Sequence, residues 1–246
     1  MWTMLDCQFW PRIGYAIGNN SSSLADLEKF LQRIYWQVVP RGGVQGSSPK
    51  HLRALNKGFY RISCLNPGIE CMIAQVGKLL THYRCQSGIG IQLQVTMELF
   101  IIELGLSAQP LQESYENYGK RITHSWIKSV WEKVCRYKIK VEICPLDIDP
   151  PREGDHWFMQ EVEEAGITDT NKLSWINCVR LHQQVLFMSD MLEANGKTID
   201  KRYMEPRPLD DKWLCLIFPN EKPPQQDFAL WREAVCSLAP RGQVQH

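Results

Sequence analysis

Seven cations fall between positions 120 and 140 (Lys120, Arg121, Lys128, Lys133, Arg136, Lys138 and Lys140), and the only acid among them is Glu132, a local net charge of +6. Trp126, Trp131 and Tyr137 are interleaved with them. Basic side chains neutralise phosphates and aromatic faces stack on unpaired bases, so nucleic-acid contact is one chemistry this stretch could perform. The competing reading is an amphipathic helix whose tryptophans are core and whose lysines keep its outer face in water. The sequence leaves both open. On the first reading the seven cations with Trp126 and Trp131 are the binding residues.

Other chemistries find less to work with. Cys64, Cys71, His82 and Cys85 cluster in sequence, but their spacings match neither a zinc finger nor a knuckle, and no Cys-x2-Cys pair occurs anywhere. Cys178 and His182 are four apart on an expected helix, an arrangement that fits a core cysteine and a hydrogen-bonded histidine as readily as a metal pair. There is no Gly-x-Ser-x-Gly and no phosphate-cradling loop, and Gly88-x-Gly90 lacks both the third glycine and a preceding strand. Glu161, Glu163 and Glu164 read as a solvated helix face, and Asp210-Asp211 sits among prolines in a turn. No catalytic residue, metal ligand, cofactor or small-molecule substrate is inferred.

The elements that would carry the basic stretch are mostly helical. Ser21-Ser22-Ser23 offers an N-cap to a helix over 24–38, where Leu24, Leu27, Leu31, Ile34 and Tyr35 recur at threes and fours. A short helix is expected at 50–56. Two very apolar helices follow at 68–83 and 91–106, both expected to be buried, although 88–95 alternates and reads equally as a strand. One or two helices cover 111–138. The segment 140–144 alternates and stops at Pro145, the one clear strand signal. Helices are then expected at 156–165, 172–194 and 228–238, with a short apolar run at 213–218. The fold class is mainly α, an irregular helical bundle with at most one or two short strands.

Charge is uneven along the chain. Residues 1–141 hold 17 basic and 9 acidic groups, net +8, and residues 142–246 hold 11 and 18, net −7, so the overall +1 is a cancellation. The change coincides with the linker-like 147–155, Asp-Ile-Asp-Pro-Pro-Arg-Glu-Gly-Asp. This divides the chain into a basic helical region, 1–146, and a smaller acidic one, 156–246. The apolar stretches are too short and too often charged to span a bilayer, and the first residues lack a secretory pattern. Nine irregularly spaced cysteines fit reduced thiols, so the expected setting is intracellular, cytoplasmic or nuclear, without a membrane.

Longer strings carry a resemblance. Glu70-Cys71-Met72-Ile73-Ala74-Gln75, then Lys78-Leu79-Leu80-Thr81-His82-Tyr83, with Met97-Glu98-Leu99 and Ile102-Glu103-Leu104-Gly105, resemble the region after the polymerase palm in reverse-transcriptase polyproteins of non-viral retroelements. Pro151-Arg152-Glu153-Gly154-Asp155, Val179-Arg180-Leu181-His182-Gln183-Gln184-Val185 and Asp227-Phe228 with Leu230-Trp231-Arg232 look like the segment before their ribonuclease H domain. The resemblance spans most of 10–235. It implies a thumb-like or connection region that grips an RNA/DNA primer–template duplex and joins polymerase to nuclease. The Tyr-x-Asp-Asp turn that holds the polymerase metals is missing, and so is the ribonuclease H centre, so the expectation is a non-catalytic fragment. An adaptor that binds a polymerase palm or another protein through an apolar edge is the alternative.

Overall fold

A computed structural model describes residues 12, 16–41, 67–107, 109–123, 125–143, 148, 152–206 and 223–239. Their main helices are α1 (Leu24–Arg41), α2 (Pro67–Tyr83), α3 (Gly88–Leu104), α4 (Tyr115–Tyr118), α5 (Trp126–Arg136), α6 (Phe158–Glu164), α7 (Thr170–Gln183) and α8 (Gln225–Leu238), with short 3-10 turns between several of them. Among the described residues no sheet forms, and two isolated bridges, Trp157 with Phe187 and Leu192 with Ile199, are the only β pairings. The protein is mainly α-helical. The expected helix at 50–56 and the apolar run at 213–218 lie outside the described residues.

Contacts divide the chain into two compact units that interleave in sequence: residues 1–93 with 124–140, and residues 94–123 with 141–246. The helix α3 runs from one into the other, and 147–155 falls inside the second.

In the first unit the caps follow from the sequence. Ser23 accepts the Asp26 N–H at 3.2 Å and donates its hydroxyl to the Asp26 carboxylate at 2.7 Å, satisfying one of the free amides that open α1. Ser125 does the same for α5 by accepting the Lys128 N–H. The helices α1, α2 and α5 pack together, with Leu27, Ile17 and Cys71 in one buried cluster and Ile127, Val130, Trp131 and Val134 buried along α5. Gly90 opens the second turn of α3, where an added Cβ would stand 1.9 Å from the Cys85 carbonyl oxygen. That glycine therefore serves a close backbone approach and has no need of a phosphate.

The second unit has the larger core. Phe158, Met159 and Val162 of α6, Leu173, Ile176 and Val179 of α7, and Phe228, Trp231, Ala234 and Val235 of α8 form one buried cluster, and the Phe158 and Trp231 rings stand 4.7 Å apart. Asp169 caps α7 by accepting the Asn171 and Lys172 N–H groups, and these bonds hold its carboxyl below the ordinary value. Gly105 ends α3 in the left-handed region at φ +72°, where a Cβ would lie 2.8 Å from Met159 Cγ and 3.0 Å from Arg180 Cζ. Strain and collision act together at this position, so Gly105→Ala is expected to destabilise the unit by about 2–3 kcal/mol. Chemical denaturation followed by circular dichroism checks this, and an unchanged midpoint would refute it.

Three expectations are corrected. The helix expected over 172–194 ends at Gln183, because Gln184 adopts a left-handed φ of 58° and the Val185 N–H returns to the Arg180 carbonyl. Residues 140–143 form no strand: the period-two pattern has no neighbouring strand to pair with, and the Ile143 carbonyl instead accepts from the Gln109 side chain. The segment 88–95 is helical, and it is not buried. Ile89, Ile91 and Val95 are about half exposed, whereas Met97, Phe100, Ile101 and Leu104 of the same helix are buried.

Candidate nucleic-acid interface

The nine residues expected to bind nucleic acid divide between the two units, and burial divides them again. Lys120 and Arg121 belong to the second unit. The Lys120 ammonium is exposed and donates to Asn171 Oδ1 at 2.8 Å. Arg121 is buried: its guanidinium lies 4.6 Å from the centre of the Tyr118 ring, and its Nη2 is 2.8 Å from Glu163 Oε1 in an ion pair without hydrogen-bond alignment. Tyr118 donates its hydroxyl to the other Glu163 oxygen at 3.1 Å. Burial, then the nearby Glu163, raises the Tyr118 pKa, so this phenol stays protonated at neutral pH. Glu163 is thus a structural partner of a buried arginine and not part of the solvated face expected for it.

The remaining seven lie on α5 or just beyond it. Trp131 is completely buried, and Trp126 is half-buried with its indole N–H donated to the Gly18 carbonyl at 3.2 Å. Trp131 therefore presents no open ring face for stacking, and Trp126 is partly accessible. Lys128 is half-buried. Lys133 is completely buried, and its ammonium donates to the Ser22 carbonyl at 3.2 Å, the Ser129 carbonyl at 3.1 Å and the Ser129 hydroxyl. Burial lowers its pKa and raises that of Cys71, its electrostatic neighbour.

Arg136, Lys138 and Lys140 are exposed. The helix α5 closes with Lys138 in the left-handed region at φ 54° and the Ile139 N–H bonded to the Val134 carbonyl. Three cations therefore emerge around a helix C-terminus, where the helix dipole also favours positive charge. Among the described residues no ion pair engages these three side chains.

Elsewhere in the first unit Cys71 is buried, His82 is half-buried and Cys85 is exposed, while Cys64 lies outside the described residues. Among the described residues no three His, Cys, Asp or Glu side chains gather as a metal would require. In the second unit Cys178 is exposed and His182 is buried edge-on to Phe228, so the two do not share an environment. Glu161 pairs with His156 at 3.2 Å, and Asp210-Asp211 lies outside the described residues. Two open clefts of about 180 and 250 Å³ flank Ile167 and Thr168. Both are smaller than most small-molecule sites, which run to roughly 300–1,000 Å³. No described helix is long and apolar enough by itself to cross a membrane.

The sequence reading missed the aromatic side chains that are in fact open. On α1, Phe30 is 58% and Trp36 61% exposed. A helical projection carries the signal, since positions 30 and 36 fall off the apolar spacing on which the buried Leu27 lies.

No known protein family, curated protein or solved structure matches this chain.

Proposed function

We propose that this chain is a non-catalytic helical protein, akin to the connection region of a retroelement reverse transcriptase, whose first unit contacts a nucleic-acid backbone. The observation that supports it most directly is the exposure of Arg136, Lys138 and Lys140 together at the end of α5. Three phosphate contacts would give a modest, strongly salt-dependent affinity, with log K falling against log salt at a slope of about −2.7. The resemblance stated above makes an RNA/DNA duplex the first ligand to try.

The test is fluorescence anisotropy of a labelled RNA/DNA duplex titrated with the whole chain at several salt concentrations. Joint replacement of Arg136, Lys138 and Lys140 by Glu is expected to weaken binding at least tenfold at low salt without changing the far-ultraviolet circular dichroism. Absence of binding by the wild type at low salt would remove the proposal. Lys133 and Arg121 are excluded from this variant because their burial makes any substitution a folding change.

A second reading, a protein-binding adaptor, is favoured by Ile73 of α2 and by Ile89 and Ile91 of α3, each more than half exposed. Salt-insensitive association lost on Ile73→Glu, with oligonucleotide binding unaffected, would favour it.

A further inference from the structure

The outer face of α1 combines what the basic stretch lacks: aromatic rings and cations exposed together. Phe30 and Trp36 are six residues apart, hence about 9 Å along the axis, and Arg33 lies between them. Lys29, Arg33 and Arg41 are all exposed. Asp26 and Glu28 offset part of this charge and leave the helix a net cation, with the cations placed around the two rings. Asp26 is engaged by Ser23, and Glu28 lies on another side of the helix, near enough to Tyr137 to help burial raise the pKa of that phenol. On the same helix Leu27 is turned inward, packed on Ile17 and Cys71. Phe30 and Trp36 are therefore not part of the core packing.

We infer that α1 is a binding surface for single-stranded nucleic acid, with Phe30 and Trp36 as stacking platforms and Lys29, Arg33 and Arg41 as backbone contacts. This rests on the nucleic-acid function proposed above and names a substrate class for it. Every base has a π-face, so two open rings flanked by cations bind an unpaired strand without reading its sequence. A duplex offers no such faces, because its bases are already stacked. An anionic membrane fits less well. A helix lying in a lipid interface needs a continuous apolar face, whereas here the two large apolar side chains are separated by Arg33 and accompanied by Gln37.

The experiment uses the whole chain and anisotropy on a labelled single strand, the same strand with abasic sites, and its duplex with complementary RNA, beside co-sedimentation with vesicles containing phosphatidylserine. Phe30→Ala/Trp36→Ala is expected to weaken single-strand binding roughly tenfold or more while leaving the duplex and abasic affinities within about threefold. Phe30→Tyr/Trp36→Phe, which keeps both π-faces, should retain binding. Trp36→Leu keeps the apolar bulk without the ring, so it tests stacking even if the double alanine variant folds poorly. Equal affinity of the wild type for normal and abasic strands overturns the inference, as does an unaffected Trp36→Leu. Vesicle binding without oligonucleotide binding overturns it in favour of a membrane surface. Duplex binding with no single-strand binding overturns this inference and leaves the proposed function in place, and binding to neither ligand removes both.

Discussion

Arg180→Ala will cost the second unit about 4 kcal/mol and lower its melting temperature by on the order of 10–20 °C. The guanidinium is completely buried and among the described residues meets no carboxylate directly. Its charge is spread instead over four oxygens: Nε donates to Asn177 Oδ1 at 2.8 Å, Nη1 to the Val185 carbonyl at 3.0 Å, and Nη2 to the Ile102 and Glu103 carbonyls at 2.6 and 2.9 Å. Two of these are carbonyls of the last turn of α3, which have no partner within their own helix. A third belongs to the loop after α7. One side chain thereby closes the end of one helix and holds the exit of another.

Removing it leaves Asn177 Oδ1 and the Val185 and Ile102 carbonyls without this donor, a penalty of roughly 1–3 kcal/mol for each that water cannot reach, while the Glu103 carbonyl keeps the Asn177 Nδ2 donor at 2.9 Å. Burial, with the charge of Arg121 second, lowers the Arg180 pKa to about 9, so the group remains a cation at neutral pH. Arg180→Lys should recover little of the loss, because an ammonium cannot reproduce the planar fork that reaches Asn177, Val185 and α3 at once. Thermal melts followed by circular dichroism measure both variants. An Arg180→Ala protein that melts with the wild type, or full rescue by lysine, would show that the clamp is not what holds the unit.

The second large effect is at Lys133. Its ammonium joins α5 to the segment before α1 through the Ser22 carbonyl, and Gln75 of α2 reaches the same segment by donating to the Asn20 carbonyl at 2.7 Å. Lys133→Ala removes three hydrogen bonds from a charged donor and opens a cavity beside Ser129, so about 3 kcal/mol of stability in the first unit should be lost. Lys133→Met fills the volume but leaves the Ser22 carbonyl only the longer 3.4 Å hydrogen bond from the Ser129 hydroxyl, and should fall between alanine and wild type. Denaturant melts order the three proteins, and equal midpoints would contradict the assignment. One consequence concerns binding assays. A Lys133→Glu variant would lose nucleic-acid affinity by unfolding, so it could not report on phosphate contact.

Much of the local structure was legible in the residues. The N-cap at Ser23 lies in the serine run expected to open α1, whereas the caps at Ser125 and Asp169, also short polar side chains ahead of apolar periodicity, emerged only with the structure. What stayed hidden was the direction in which charge faced. Lys133 and Arg136 differ by three positions on one helix, yet the first is buried and the second exposed, because Ser22 and Ser129 supply oxygens at one place and nothing covers the other. Nothing in the composition of the basic stretch separates them. The end of α7 was hidden for a related reason, since Gln184 carries no glycine signal and takes its left-handed φ from packing around Arg180.

The sequence by itself determined that the chain is helical, because the spacing of its apolar residues and caps acts over a few positions and needs no distant partner. Only the tertiary structure decided which of the clustered cations can reach an anion. A lysine or arginine is buried only where remote backbone oxygens or a remote carboxylate converge on it, and Ser22, Ile102 and Glu163 are brought to their partners by the fold alone. The same convergence turned Trp131 inward and left Trp36 in the open.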